Sequence, residues 1–388
     1  MSAPERRDYR VAIVGAGIMG LFTAYHVARR GGGPVLVVDR GYLSSGASGR
    51  NGGGVRQQWE NPETVRLARE SVAVYRRFPH DFGYNVWFRQ GGYLFLATSN
   101  PEWKHLERVH RSVTGEGLDA RRLRPDEVGR YVPELRTDGV VGATFLRTDG
   151  TLYPFPAIWG LYEAAQQLGV EVRLGVEALG VTAENGRVTG LTTSRGAVRA
   201  ATVVNAAGGW ASEFSARSGL RVENRPTRHE ILATEALKPF LDPMVVRLSD
   251  GLYFSQTMRG EIVGGLTVPH PPGVSGGVPS SPAFLGSMAR ALTELVPRLA
   301  SVSVLRAWSG FYDETPDGFP IVGEDPNLRG FVHANGFGGH GFMLAPAAST
   351  RVARMILGEP TDLDPGHFSP ARFANGRVAP RSESLQPG

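Results

Sequence analysis

Several groups of residues in this chain have the types and the spacing to do chemistry. Gly15, Gly17 and Gly20 stand at G-x-G-x-x-G spacing directly after the apolar run 11–14. In such a turn the first glycine permits the bend and the second lets backbone approach a pyrophosphate. The third lets a helix pack against the strand. Asp39 closes a second apolar run 19 residues after Gly20, where a carboxylate can accept from a ribose hydroxyl. An acid there suits FAD or NAD and repels the 2′-phosphate of NADP. Arg50 and Arg56 lie in a glycine- and serine-rich stretch, 41–56. Many backbone amides beside two guanidinium groups fit a loop wrapped around an anion or a polar ring. Asn335-Gly336-Phe337-Gly338-Gly339-His340-Gly341 is a second glycine turn leading into a helical pattern. Its helix start could face another anion or oxyanion.

The elements that must carry these groups can be read around them. The runs 11–14 and 35–38 are short, β-branched and uncharged, as strands buried on both faces should be. A helix over 18–30 joins them and aims its positive end at the phosphates. Asn61-Pro62-Glu63 is a helix start, with Val65, Ala68, Val72 and Tyr75 on one face. Further helices are expected over 101–113, from 125 and over 154–168, with strands at 93–96, 170–174 and 201–206. Glu184-Asn185-Gly186-Arg187 predicts a hairpin with a primed turn. Ala207-Gly208-Gly209-Trp210 ends a strand where backbone could again run along a dinucleotide. Between 222 and 300 short strands alternate with Pro- and Gly-rich loops, 269–282 being the most loop-like. This predicts a second unit built on an antiparallel sheet. Buried strands return at 302–306 and 331–334, followed by a helix over 343–357.

Composition bounds the rest. The 388 residues exceed one typical core, so two domains are expected. The net charge of +5 comes almost wholly from scattered arginines, since Lys104 and Lys238 are the only lysines. No basic run with interleaved aromatics marks a nucleic-acid partner. There are no cysteines, which excludes disulfides, iron–sulfur clusters and thiolate metal sites. No metal site is expected. No apolar run reaches membrane-spanning length and the charged N-terminus is no signal peptide, so a soluble, cytoplasmic protein is expected.

Taken with the fingerprint and the serine–arginine loop, three distant blocks carry a resemblance. They are Trp308-Ser309-Gly310-Phe311-Tyr312, Thr315-Pro316-Asp317-Gly318-Phe319-Pro320-Ile321-Val322-Gly323 and Gly338-Gly339-His340-Gly341-Phe342. Over roughly 8–375 the chain resembles the FAD-dependent D-amino acid oxidase superfamily. Within it, it is most similar to sarcosine oxidases of the β-subunit type and to the β subunit of dye-linked L-proline dehydrogenase. The resemblance implies an α/β fold with a Rossmann-like FAD domain (8–85, 147–215 and 301–375). The substrate domain (86–146 and 216–300) would be α+β, built on a large mixed antiparallel sheet, and 376–388 a disordered tail.

The implied activity is oxidation of the C–N bond of sarcosine or a related secondary amino acid to an imine, by hydride transfer to flavin N5. Electrons would pass to oxygen, giving hydrogen peroxide, or to an acceptor subunit of a hetero-oligomer. Alternatives are an L-proline dehydrogenase subunit, a glycine or D-amino acid oxidase, and a flavin-bound subunit without catalysis. Asp39 and Arg40 would serve the adenosine, and Gly15, Gly17, Met19 and Gly20 the pyrophosphate. Ser44, Ser48, Gly49, Arg50, Asn51 and Gly53 would follow the pyrophosphate to the flavin edge. Ala207, Gly208, Trp210, Gly310, Gly338, Gly339, His340, Gly341, Phe342 and Met343 would complete the cofactor site. Arg56 matches the arginine that binds substrate carboxylate, a task suited to its two-pronged donor set. Tyr253, Tyr312 and His340 are the other candidate catalytic residues, with His229 a weaker one. Monomeric sarcosine oxidases link flavin to a cysteine near the position of Gly310, so here FAD should be non-covalent unless a histidine provides the link. They also carry lysines near 261–264 and at the position of Met343, which this chain lacks.

Overall fold

The computed structural model describes residues 8–269 and 280–373. The tail 376–388 and most of the expected loop 269–282 lie outside the described residues. Among these residues the strands form two eight-stranded sheets and one two-stranded ribbon. The first sheet runs Ile321–Glu324, Phe331–Asn335, Gly196–Asn205, Asp8–Val14, Val35–Asp39, Glu171–Leu174. The five strands from Phe331–Asn335 to Glu171–Leu174 pair in parallel, Val14 meeting Asn205 on one side and Val38 on the other. Val11, Ile13, Val35 and Val37 are buried on one face, and Ala12, Leu36 and Val38 on the other. This explains why the runs carry no charge. The hairpin Ala178–Glu184 and Arg187–Thr193 extends the sheet. Asn185 (φ 50°) and Gly186 (φ 72°) both take the left-handed conformation that the Asn-Gly pair predicts.

The helix Ile18–Arg29 packs on this sheet and against Gly341–Leu357, so both glycine turns lie over the same edge. Pro62–Phe82 backs the second of these helices. Asn61 caps it, its Oδ1 accepting from the amides of Glu63 (2.8 Å) and Thr64 (3.2 Å). The expected face Val65, Ala68, Val72 and Tyr75 is buried, and the Tyr75 hydroxyl donates to the Phe342 carbonyl at 2.6 Å. This bond ties a long helix to the turn at the C-terminal glycines.

The second sheet runs Val304–Glu314, Arg225–Ala236, Glu261–Leu266, Leu252–Gln256, Met244–Arg247, Tyr93–Ala97, Gly142–Leu146, Arg121–Leu123. It is antiparallel except where Met244–Arg247 runs parallel to Tyr93–Ala97. Two sequence expectations change here. The strand expected at 302–306 is Val304–Glu314, and its first three residues are exposed because it is the outer strand of this sheet. It pairs with Arg225–Ala236, not with the strands of the nucleotide sheet. The stretch read as strands and loops also contains the helix Pro282–Leu295. Ser281 caps it, and Phe284, Met288, Leu292 and Leu295 pack on Leu252, Phe254 and Ile262. That apolar spacing is helical and was legible. Among the described residues, no helix is long and apolar enough to cross a membrane.

Candidate active site

Two clefts meet where the sheets adjoin. The larger, of about 390 Å³, starts at the first glycine turn. There the Ala16 amide donates to Asp39 Oδ2 at 2.8 Å and the Gly41 amide to Oδ1 at 2.7 Å. The carboxylate is thus fixed beside the cleft, and each oxygen keeps further accepting capacity. Gly15 (φ 110°) cannot carry a side chain, since a Cβ would stand 2.4 Å from the Ala206 carbonyl oxygen. The Ser48 hydroxyl accepts from the Ile18 amide at 3.0 Å, so a loop serine takes one of the amides at the start of the helix Ile18–Arg29. Met19 lines the same wall. Opposite, the Arg40 guanidinium lies 4.6 Å from the Trp210 ring centroid, beside Ala207 and Gly208.

The loop 41–56 forms the next wall, with Ser44, Ser48, Arg50 and Asn51 facing the cleft. Arg50 is held by carbonyls: Nε donates to Ser45 and Nη1 to Ser309, both at 2.9 Å. The Trp308 indole in turn donates to the Arg50 carbonyl at 2.9 Å. Asn51 braces the loop, donating to the Ser48 carbonyl at 2.6 Å and accepting from the Gly53 amide at 2.8 Å. Gly338, Gly339, Gly341 and Phe342 close the far end.

A long, flat, charged cofactor fits this lining. A Cβ at Gly46, Gly208 or Gly338 would meet no protein atom within 4 Å, so three of the bare backbone walls face open room. A fixed carboxylate at one end and a helix start at the other match a ribose and a polar ring. Three expected glycines stand elsewhere. A Cβ at Gly20 would lie 1.9 Å from the Gly15 oxygen, and at Gly53 2.0 Å from the Leu152 oxygen, so both are packing glycines. Gly49 folds onto the Ser44 carbonyl and faces a third hollow behind the loop.

The second cleft, of about 110 Å³, adjoins the first and shares Arg50, Asn51, Phe311, Tyr312, Gly339 and Phe342 with it. Arg56 lies in its wall, only 4% exposed. Its guanidinium carbon sits 4.0 Å from the Trp59 ring centroid and 5.2 Å from that of Phe95. Its Nη2 lies 3.1 Å from His340 Nε2. Burial, with the Arg56 charge beside it, holds the His340 imidazole well below its usual range. The ring is therefore neutral. A guanidinium can only donate, so Nε2 accepts and the ring proton sits on Nδ1. Tyr253, Tyr312, Gly310 and Met343 line this cleft. His229 stacks between the two tyrosines, 4.5 Å from Tyr312 and 5.6 Å from Tyr253. Burial raises the Tyr253 hydroxyl far above its ordinary range, and Tyr312 adds to this.

Sequence reasoning missed the support beneath Arg56. Asp149, fully buried, accepts from the Gln57 amide (2.7 Å), Gln57 Nε2 (3.1 Å) and Gln58 Nε2 (3.0 Å). Burial pushes its carboxyl up to about 7 against those hydrogen bonds. Tyr93 and Phe95 also face the cleft. They alternate on one strand, and that period-two spacing was the available signal. Asp149, an isolated acid in a turn, offered none.

Comparison with known proteins agrees with this geometry. Residues 10–355 match the family model described as FAD dependent oxidoreductase. The sarcosine oxidase subunit beta of Rhizobium meliloti (strain 1021) is 30% identical, over 98% of this chain and 92% of that protein. The crystal structure of L-proline dehydrogenase from P. horikoshii superposes with a TM-score of 0.91 at 30% identity, covering 97% of this chain and 100% of that one. Glycine oxidase from Geobacillus kaustophilus gives 0.86 at 27%, covering 95% and 99%. With the match spanning the fingerprint turn, the fixed Asp39 carboxylate and the glycine-walled cleft, the chain belongs to the FAD dependent oxidoreductase family and is a flavoenzyme.

Proposed function

We propose that this enzyme oxidises the C–N bond of a small secondary amino acid, sarcosine or a close relative, to the imine. The observation that carries this reading is the buried Arg56 guanidinium in a small aromatic cleft that shares a wall with the cofactor cleft. A buried cation beside apolar walls suits a compact anion with an apolar remainder, and a carboxylate takes its two-pronged donor set. Ile231, Met244 and Val246 would surround the amine substituent. The similarity to sarcosine oxidase and L-proline dehydrogenase supports a secondary amine.

Asp39 would hold the adenosine ribose, the turn from Gly15 with Ser48 the pyrophosphate, and the backbone from Gly338 to Phe342 the flavin ring. The chemistry FAD supplies when bound is acceptance of a hydride from the carbon next to nitrogen, leaving an imine that water hydrolyses. Arg56 binds and orients the carboxylate. His340, with its Nε2 lone pair engaged by Arg56, orients that guanidinium and is no proton acceptor at this atom. Tyr253 and Tyr312 exclude water from the cleft.

Anaerobic titration tests the reading. Sarcosine or L-proline should bleach the bound flavin's visible absorbance, with glycine much slower. Equal rates with glycine would remove the preference for secondary amines, and no bleaching by any of them would remove catalysis altogether. With no cysteine in the chain a cysteinyl link is excluded, and FAD should be bound non-covalently. Acid precipitation should leave the flavin in the supernatant, and a yellow pellet would overturn that.

A second reading concerns the electron acceptor. Oxygen, giving hydrogen peroxide, is the simplest. Yet neither lysine of the chain lines either cleft, so no ammonium charge is there to assist oxygen. Behind the loop, the third hollow is flanked by exposed Tyr42, Trp87 and Met258. Both features favour transfer to a partner subunit or a dye, as does the name subunit beta among the relatives. Turnover with a dye exceeding turnover with oxygen is the expected result.

A further inference from the structure

The turn that closes the cofactor cleft is organised by a carboxylate that the proposed chemistry does not use. Asp313 follows Tyr312 on the outer strand of the second sheet, and its side chain is buried. Its Oδ2 accepts from the Gly336 amide at 2.6 Å. Its own carbonyl accepts from the Gly338 amide at 3.1 Å. Gly336 (φ 72°) and Gly338 (φ 54°) are left-handed, and the turn they shape is tied to Asp313 twice, through its carboxylate and through its carbonyl. Asp313 also lines the cofactor cleft, beside Gly338 and Gly339.

We propose that Asp313 is a positioning residue that also sets the reduction potential of the bound flavin, as a fixed negative charge behind the turn that faces the ring. The inference rests on the placement of the ring at Gly338–Phe342 proposed above. An ionised carboxylate beside a ring that gains electrons opposes the gain, so it lowers the potential. The same acid joins the substrate sheet to the cofactor turn, since it belongs to the strand that carries Tyr312.

The carboxyl is pushed up to about 7 by burial, against the amides of Gly336, Phe337 and Gly338. The charge is therefore present above about pH 7 and absent below it. The other titratable or charged groups on the surrounding elements are Tyr312 and Glu314 on its strand, Arg225 opposite Glu314, His340 beyond the turn and Arg50 across the cleft. Arg50 is held by carbonyls and His340 is neutral, so neither supplies a counter-charge that switches in this range.

The test is the midpoint potential of holoenzyme and Asp313→Asn, read with a chemical reductant so that it does not depend on the amino acid substrate. The variant should show a higher potential than the parent at pH 8.5. The gap should vanish at pH 5.5, where the parent's carboxyl is protonated and resembles the amide. Equal potentials at both pH values, or a gap of the same size at both, would overturn the proposal. Where the variant does not retain FAD, the parent alone decides: its oxidised flavin absorbance should shift with a midpoint near 7, a shift that Asp149→Asn retains. A flat titration would overturn it. A flavin whose spectrum and potential respond to neither acid, in an enzyme that sarcosine still bleaches, would defeat this inference and leave the amine-oxidase reading standing.

Discussion

Arg56→Ala should raise the apparent KM for the amino acid roughly tenfold to a hundredfold or more, with FAD content unchanged. The basis is the loss of a charge-assisted hydrogen bond to a carboxylate, roughly 1.5–3 kcal/mol. The guanidinium is almost fully buried, so solvent screens it little. Its position is fixed from several sides: the Trp59 and Phe95 rings flank it, and His340 accepts from it. Beneath it, Asp149 clamps the following residues, Gln57 and Gln58. Arg56→Lys keeps the charge and loses the fork, so it should recover only part of the affinity. Removing the guanidinium also relieves one of the two causes that hold the His340 imidazole low. The variant's KM should then gain a pH dependence at the acid side that the parent lacks. Steady-state kinetics with FAD quantified by absorbance would check all three. Loss of FAD with unchanged substrate affinity in the remaining holoenzyme would move Arg56 into the cofactor site.

Gly20→Ala should destabilise the protein by about 3 kcal/mol or more and reduce FAD occupancy, although it adds one methyl group to a helix. Alanine is ordinarily the better helix former, by roughly 1 kcal/mol over glycine. Here the methyl would stand 1.9 Å from the Gly15 carbonyl oxygen and 3.3 Å from Ile13 Cγ2. Overpacking typically costs about 1–3 kcal/mol, occasionally more, and a backbone oxygen cannot rotate aside as a side chain can. The helix must lift from the strand, and the turn between them must open. The Ile18 amide would then leave Ser48, and Asp39 would lose its register with the Ala16 amide. Urea unfolding of the apoprotein and FAD content after purification would show it. An unchanged midpoint with full flavin would mean the helix has more freedom than its packing suggests.

These two residues mark the range of what the chain disclosed before folding. Gly20 was legible because its signal is local: a strand, a turn and a helix within one short stretch. The turn before Gly341 was legible for the same reason. Arg56 needed the distant blocks, since one arginine among scattered arginines carries no mark of its own. Asp149 and Asp313 were illegible as supports. Their burial is set by packing between segments far apart in sequence, such as Gln57 with Asp149 and Asp313 with Gly336. The strand Val304–Glu314 is a different case: Val-Leu-Arg-Ala-Trp-Ser-Gly-Phe-Tyr-Asp-Glu does not alternate between apolar and polar residues, so its sequence marks neither its buried face nor the sheet that receives it. The helix Pro282–Leu295 carries a helical apolar spacing, but it stands beside loops rich in proline and glycine that mask it.

The wall shared by the two clefts has a consequence for how such an enzyme could change substrate. Phe311, Tyr312, Gly339 and Phe342 face both clefts, so altering any of them to admit a larger amine also alters the lining of the cofactor cleft. Ile231, Met244, Val246 and Met343 face the smaller cleft alone. A mutational library confined to those four positions changes the smaller cleft without touching the lining of the larger one, whereas one that includes the shared wall changes both at once. Descendants of a common ancestor would drift fastest in specificity along that unshared side.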